Sequence, residues 1–160
     1  MVPHKQVKAH RTRRSIEVSA LKQGTVVDHL RRGTGLKVLN VLGLLTEGAV
    51  AIGLNLDSKR LGQKDLIKIE NRELTQEELN KIAILSPEAT LSIIRDFKVF
   101  SKFQPELTDE MEGVVHCQNP SCISNNERIR SRFQVLEREP LRLRCYYCER
   151  VIPSGEIELL

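Results

Sequence analysis

Four cysteines are the residues whose type and spacing point most directly to chemistry. They form two close pairs, Cys117 with Cys122 and Cys145 with Cys148, and 22 residues separate the pairs. Two short cysteine loops joined by a longer excursion are typical of a tetrahedral zinc site. The Asn119–Pro120 dipeptide favours a tight turn in the first loop. Because four sulfurs fill the zinc shell, we expect one structural Zn²⁺ per chain and no open position for catalysis.

Two other interpretations of the cysteines stay open at this point. The four thiols could form two disulfides, or His116 could replace one thiolate as a metal ligand. Disulfides need an oxidising compartment, and the N-terminal sequence MVPHKQVKAHRTRR has no apolar segment typical of an export signal. The sequence therefore favours a metal site in a cytoplasmic protein.

The composition indicates a globular chain. Of 160 residues, 40% are hydrophobic and 29% are charged. No apolar run approaches the roughly 20 residues that span a bilayer, so we expect no membrane partner. Tryptophan is absent and aromatic residues make up 4%, which argues against a platform that stacks single-stranded nucleic acid on aromatic rings.

The net charge of +4 is unevenly distributed. Residues 1–33 contain eight of the 25 lysines and arginines and two of the 21 acidic residues, whereas the remainder is slightly acidic. Residues 1–14 have no hydrophobic period, and we interpret them as a basic disordered tail. Such a tail can attract polyanions locally, but it does not predict a nucleic-acid-binding protein.

Hydrophobic periodicity predicts five strands and two helices before residue 104. Alternation predicts strands at 15–21, 48–56, 64–70, 89–95 and 97–103, with a short extended segment at 25–30. Apolar residues at helical spacing predict a helix within 36–45. Thr75 and Glu78 form a capping-box pattern that begins a second helix, which Pro87 ends.

This order, β-α-β-β-α-β with an extra strand, predicts an α+β, ferredoxin-like antiparallel sheet with helices on one face. A segment rich in proline and acidic residues follows, from Gln104 to Glu112. We place a domain boundary there. The expected units are residues 15–105 and a small all-β zinc-binding domain at 109–160, which is too short for a large core without a metal.

Several stretches resemble the regulatory chain of aspartate carbamoyltransferase (aspartate transcarbamoylase). They are GTVVDH at 24–29, IGLNL at 52–56, GQKDLIKIEN at 62–71, and the two cysteine motifs with Ile123, Ser124 and Glu149. The resemblance covers about residues 16–150 in the same order. Each motif is weak alone, but together they are specific.

The resemblance implies a non-catalytic regulatory subunit. Members bind the nucleotide effectors CTP, UTP and ATP in the N-terminal domain, dock on catalytic chains through the zinc domain, and pair as homodimers. They control the first committed step of pyrimidine biosynthesis. Neither nucleic acid nor a membrane is expected as a partner.

The resemblance also implies a nucleotide site. Asp28, Lys68 and Lys102 match positions that hold the effector; lysine suits phosphate as a mobile point charge, and the carboxylate can accept hydrogen bonds from ribose. The other matching positions are Leu21, Val26, His29, Lys64, Ser92, Ile94, Phe97 and Val99. Ser92 stands where some members have asparagine, which leaves the preference between pyrimidine and purine open.

Two alternative functions compete with a regulatory chain. A nucleic-acid-binding zinc ribbon would use the arginines between 128 and 144, although Glu127, Glu137 and Glu139 are interleaved with them. A metalloenzyme is the third interpretation, and the closed four-sulfur shell argues against it.

Overall fold

The computed structural model describes residues 19–46 and 48–160. The predicted tail at 1–14 and the first part of the strand predicted at 15–21 lie outside the described residues. Residues 19–21 are described and are not in a strand. That part of the prediction is wrong, because alternation alone does not supply the neighbouring strand that a ladder requires.

The first sheet has five antiparallel strands in the spatial order β2-β3-β1-β4-β5. Its strands are β1 Gly24–Arg31, β2 Val50–Ser58, β3 Gly62–Glu70, β4 Thr90–Arg95 and β5 Lys98–Phe103. Strand β3 lies between β1 and β2, which is the split β-α-β arrangement that the sequence predicts. The extra strand is β5, at one edge.

Two helices accompany this sheet: α1, Gly35–Val41, and α2, Gln76–Leu85. Helix α2 begins with the predicted capping box, since Glu78 N donates to Thr75 Oγ1 and Thr75 N donates to a Glu78 carboxylate oxygen. Helix α1 is shorter than the apolar spacing indicates. Gly43 has a φ of 64°, a left-handed conformation that ends helices.

One face of the sheet forms a core with the helices. The other, called the open face below, is covered by no helix or strand of residues 19–46 and 48–160. Val27, Ile67 and Leu91 are paired across β1, β3 and β4, and each is 0% exposed. Val38 of α1 and Ile82 of α2 belong to the same buried cluster. Because side chains alternate along a strand, the residues between these positions point to the opposite face.

The second sheet is antiparallel in the order β6-β7-β8-β9. Its strands are β6 Glu110–Glu112, β7 Arg132–Arg138, β8 Leu141–Cys145 and β9 Val151–Pro153, and a four-residue helix, α3 Ile123–Asn126, follows the first cysteine pair. Phe133, Leu143 and Ile152 are buried in one cluster with three of the cysteines. The small β-rich C-terminal unit is therefore confirmed, with α3 and a short 3-10 helix, Ser154–Glu156, added.

Helix α2 also contacts the second sheet, since Ile84 packs against the second core. No helix in the described ranges is long and apolar enough to cross a membrane.

Candidate metal centre and nucleotide-binding face

The four cysteine sulfurs lie together beside the second sheet. All four are within 4.8 Å of one another. Cys117 Sγ is 3.5 Å from Cys148 Sγ, and Cys122 Sγ is 3.7 Å from Cys145 Sγ. Four Zn–S bonds of about 2.3 Å in a tetrahedron place the sulfurs about 3.8 Å apart. All four cysteines are free, so the disulfide interpretation is wrong and the donor set fits one metal ion.

Amide side chains of α3 hold the first cysteine loop. Asn125 Nδ2 donates to the carbonyl oxygens of Cys117, at 2.7 Å, and of Asn119, at 2.8 Å. Asn126 Nδ2 donates in the same way to the carbonyl of Cys122 and to that of the loop proline, both at 2.8 Å. These bonds supply side-chain donors to the carbonyls of the first cysteine loop, and those of Asn119 and Cys122 also accept a backbone N–H. The loop geometry therefore does not depend on a metal alone.

Backbone hydrogen bonds shape the second loop, which begins where β8 ends. Cys145 N donates to Arg150 O at 2.9 Å, and Glu149 N donates to Cys145 O at 3.0 Å. Glu149 has a φ of 59°, which allows the chain to reverse directly after the second cysteine. The turn exposes the two residues between the cysteines, Tyr146 at 61% and Tyr147 at 37%.

The thiols differ in acidity. Burial raises the pKa of Cys117 and of Cys145. Burial also acts to raise the pKa of Cys148, but hydrogen bonds from the Arg150 backbone and the Asn119 side chain outweigh it and lower the pKa to about 7. Burial therefore favours the protonated thiol at Cys117 and Cys145 in the metal-free protein, so a metal must displace protons as it binds.

Among the described residues the metal-binding cluster contains cysteine sulfurs and no histidine. His116 instead lines a groove with Glu77 and Arg130. The interpretation of His116 as a ligand is therefore not supported by the geometry.

Four of the predicted nucleotide-site residues occupy one row across the first sheet. Lys68 of β3 pairs with Val26 of β1, Val26 pairs with Ser92 of β4, and Ser92 pairs with Lys102 of β5. Paired residues of antiparallel strands point to the same face. Both of their β1 neighbours, Thr25 and Val27, belong to the buried face, so this row lies on the open face.

A second group surrounds Asp28. Its carboxylate lies 2.6 Å (Oδ1) and 2.8 Å (Oδ2) from Lys64 Nζ, and its Oδ1 accepts a hydrogen bond from His29 N at 2.6 Å. His29 has a φ of 54° at an irregularity in the β1–β3 pairing. Its Nδ1 atom is buried without a hydrogen-bond partner, although Asp28 Oδ2 is 3.5 Å away. At this distance the two atoms do not form a hydrogen bond with good geometry.

Leu21 and Lys68 line a cavity of about 190 Å³ on this side of the molecule. Val50 and Ala51 of β2 also line it, and no signal in the sequence singled them out. Lys68 Nζ donates to Ser19 O at 2.6 Å. The cavity therefore places a lysine ammonium beside an apolar wall.

Three further predicted residues lie at the β4–β5 hairpin. Ile94 pairs with Val99, while Phe97 is in the turn with a φ of 62°. Ile94 is 9% exposed, whereas Phe97 is 63% and Val99 is 60% exposed. The structure therefore groups the predicted residues into a central row, the Asp28 group and this hairpin, with Leu21 at the cavity.

Three arginines of the second sheet have carboxylate partners, whereas Arg144 donates to the amide oxygen of Gln134. Arg132 pairs with Glu110, and Arg138 and Arg142 pair with Asp109 and Glu137, each at 2.6 Å. Binding to nucleic-acid phosphates would have to break these pairs, so the geometry does not favour a zinc ribbon that binds nucleic acid.

Two family models match this chain in succession. Residues 16–106 match the model for the aspartate carbamoyltransferase regulatory chain, allosteric domain, and residues 109–158 match its metal binding domain. The chain is similar to the aspartate carbamoyltransferase regulatory chain of Pyrococcus abyssi, with 51% identity over 145 residues, 89% of this chain and 95% of the relative.

Other relatives with the same description give a similar result. Those of Thermococcus gammatolerans and Methanothermobacter thermautotrophicus are 48% and 47% identical, and each alignment covers 89% of this chain and at least 93% of the relative. Together with the four-sulfur cluster, these matches show that the chain belongs to the aspartate carbamoyltransferase regulatory chains, the non-catalytic family with an allosteric and a metal-binding domain.

Proposed function

We propose that the open face of the first sheet binds nucleotide effectors and that the metal-binding unit, loaded with Zn²⁺, docks on catalytic chains of aspartate carbamoyltransferase. The row Lys68–Val26–Ser92–Lys102 carries the proposal for the nucleotide site. It brings two cations, an apolar side chain and a hydroxyl to one surface from four different strands.

The spacing of this row suits CTP, UTP or ATP. Lys68 and Lys102 are three strand spacings apart, which is about 14 Å between backbones. Their flexible side chains can converge on a triphosphate from both sides. Asp28 would accept hydrogen bonds from ribose hydroxyls, with Lys64 and His29 close to it.

Apolar side chains complete the proposed site. Leu21, Ile94, Phe97 and Val99 would contact the base. The exposed side chains of Phe97 and Val99 support this role, and Ile94, 9% exposed, would form the floor of the site. Ser92 lies at the centre of the row and is the position for base selection. A Ser92→Asn change should alter the ratio of CTP to ATP affinity more than the affinity for either nucleotide.

Substitution of the two lysines tests the site. Lys68→Ala and Lys102→Ala should each weaken CTP and ATP binding by roughly 10- to 100-fold, because each removes a charge-assisted contact. Isothermal titration calorimetry measures the change, and Lys59→Ala in the β2–β3 turn is the matched control. Unchanged affinity in both site variants would contradict the assignment.

The identity of the metal follows from donor chemistry. Four thiolates in a tetrahedral arrangement select Zn²⁺ among common cations, and a filled shell gives it a structural role. Four free thiols also fit a reducing compartment, so we propose the cytoplasm.

The loops around the metal present an exposed surface for a catalytic chain. Ile123 is 43% exposed, and the rings of Tyr146 and Tyr147 stack edge to face with centroids 5.5 Å apart. Exposed tyrosines on a rigid loop are typical of binding hot spots. Tyr146→Ala should reduce capture of catalytic chains from a defined mixture, whereas Leu136→Ala, at another exposed apolar position, should not.

A regulatory-chain homodimer would use the β2 edge of the first sheet. Leu36 at the start of α1 is 58% exposed and Leu54 of β2 is 39% exposed, whereas much of the apolar surface near β5 is assigned to the nucleotide. Leu54→Glu should give monomers in analytical ultracentrifugation. Phe100→Glu, at the opposite edge, is the control, and dissociation by that variant alone would place the interface at β5.

The two functions divide between residues 15–105 and 109–160. The succession of the two family models and the two separate sheets support this division. With zinc, a fragment of residues 109–160 should bind catalytic trimers and no nucleotide, while a fragment of 15–105 should bind nucleotide and no catalytic chain. A nucleotide response of trimers mixed with the zinc fragment alone would refute the division.

A further inference from the structure

Helix α2 lies between the two sheets and holds the segment that joins them. Asn80 is 3% exposed. Its Nδ2 donates to Thr108 Oγ1 at 3.0 Å, and Thr108 N donates to its Oδ1 at 3.2 Å. The Thr108 hydroxyl in turn donates to Glu110 O at 2.5 Å, where β6 begins. One threonine therefore connects the helix, the joining segment and the second sheet.

The joining segment comes directly from the proposed nucleotide site. Strand β5 ends at Phe103, the residue after Lys102, and Thr108 follows five residues later. A ligand that moves the Lys102 end of β5 therefore acts on Thr108 through a short covalent path. Because Thr108 is hydrogen-bonded to Asn80 of α2 and to Glu110 of β6, such a movement would be transmitted to both the helix and the second sheet.

A second contact crosses the same junction. The Glu77 carboxylate pairs with the guanidinium of Arg130, which belongs to the second unit, and lies 3.7 Å from Lys81 Nζ on its own helix. Lys81 is 8% exposed, and its other contact is Val41 O at 3.5 Å. One carboxylate is therefore shared between a cation of each unit, an arrangement that permits two alternative pairings.

The Arg130 side chain packs against Gly113 and borders a groove into which it could move. It lies across Gly113, whose φ is 68° and where a Cβ atom would come within 2.2 Å of Arg130 Nη2. Tyr147 Oη donates to Arg130 O at 3.2 Å, which connects this position to the second cysteine loop. A groove of about 380 Å³ borders the ion pair.

We propose that the Asn80–Thr108 hydrogen bonds and the Glu77–Arg130 ion pair couple the nucleotide site to the metal-binding unit. This inference rests on the proposed function and names the contacts through which regulation passes. The partly buried hydrogen bonds hold α2 and the joining segment in a fixed relative position. The exposed ion pair contributes little to stability and exchanges partners at low cost. These residues are positioning residues and contact neither effector nor substrate.

The test uses full-length chains assembled with catalytic chains. Arg130→Gln, Thr108→Val and the double variant should reduce the coupling by between about 2- and 30-fold. Coupling is measured as the change in CTP affinity when a substrate analogue saturates the catalytic sites, since linkage is reciprocal. CTP affinity without the analogue, metal content and assembly should stay within about twofold of the unsubstituted complex, which a general loosening of structure would not give.

Glu73→Gln is the matched control, because it removes the Glu73–Arg95 ion pair, 2.8 Å long, within the first unit. The inference is overturned if Arg130→Gln and Thr108→Val leave coupling unchanged, or if Arg130→Gln abolishes assembly or CTP binding. If the unsubstituted complex shows no nucleotide response, the proposed function fails and this inference fails with it.

Discussion

Removal of one metal ligand should unfold the second unit and leave the first sheet folded. Cys145 is 0% exposed and belongs to the buried cluster of Phe133, Leu143 and Ile152. In Cys145→Ala three sulfurs remain, so the tetrahedral shell is incomplete. Structural zinc contributes about 10–16 kcal/mol to folding in small metal-binding peptides. A loss of even half of this free energy exceeds what a sheet of four short strands can supply.

The size of the effect distinguishes metal loss from ordinary core damage. Val115→Ala, also at a 0% exposed position of the same cluster, should cost about 2 kcal/mol through lost packing and should retain the metal. Cys145→Ala should lose the metal and the cooperative unfolding of this unit. The second unit should also become sensitive to protease, while the first sheet keeps its unfolding transition.

Three measurements check this prediction. Elemental analysis should find about one zinc per unsubstituted chain and per Val115→Ala chain, and almost none per Cys145→Ala chain. Limited proteolysis and circular dichroism report the folding of each unit. Retention of full zinc by Cys145→Ala, or disulfides in place of zinc in the unsubstituted protein, would refute the reasoning.

Further predictions concern acidity and local stability. Cys117 has a raised pKa and Cys148 a pKa of about 7, so metal uptake releases protons. Metal affinity, measured by competition titration, should therefore decrease as the pH is lowered from about 8 to about 6. Asp65→Ala should lower the free energy of unfolding of the first sheet by about 3–5 kcal/mol, since this 0% exposed carboxylate accepts three backbone N–H bonds. Asp57→Ala, at an exposed position, should change the free energy of unfolding by less than about 0.5 kcal/mol; both are measured by chemical denaturation. Thr75→Ala should cost about 1 kcal/mol through loss of the helix cap, and an unchanged denaturation midpoint would contradict that role.

Local sequence signals predicted the elements well where local physics determines them. Charge and aliphatic residues alternate over residues 64–70, and β3 spans Gly62–Glu70. The capping box at Thr75 is formed as predicted. The predictions were wrong where strand formation depends on pairing with a segment far away in the sequence, as at residues 19–21. The length of α1 was overestimated because Gly43 ends the helix despite the hydrophobic pattern that continues beyond it.

The candidate sites show the same division. The two cysteines of each pair are close in sequence and therefore close in space, so the metal centre was predictable from spacing alone. The row from Lys68 to Lys102 depends on the register of four strands, which no single segment encodes. The contact between Asn80 and Thr108 joins residues 28 positions apart and leaves no periodic signal. Only the resemblance to a known family pointed to the residues of the proposed nucleotide site.

Deamidation of Asn125 or Asn126 would disrupt the hydrogen bonds that hold the first cysteine loop. Asn125 and Asn126 each donate two hydrogen bonds to loop carbonyls through one nitrogen. Deamidation replaces that nitrogen with a carboxylate oxygen, which repels the carbonyls it faced and adds negative charge beside the metal-binding sulfurs. A chain damaged in this way would release its metal more readily while its first sheet stayed intact. If prolonged heating deamidates these residues, the protein should lose its metal before it loses nucleotide binding.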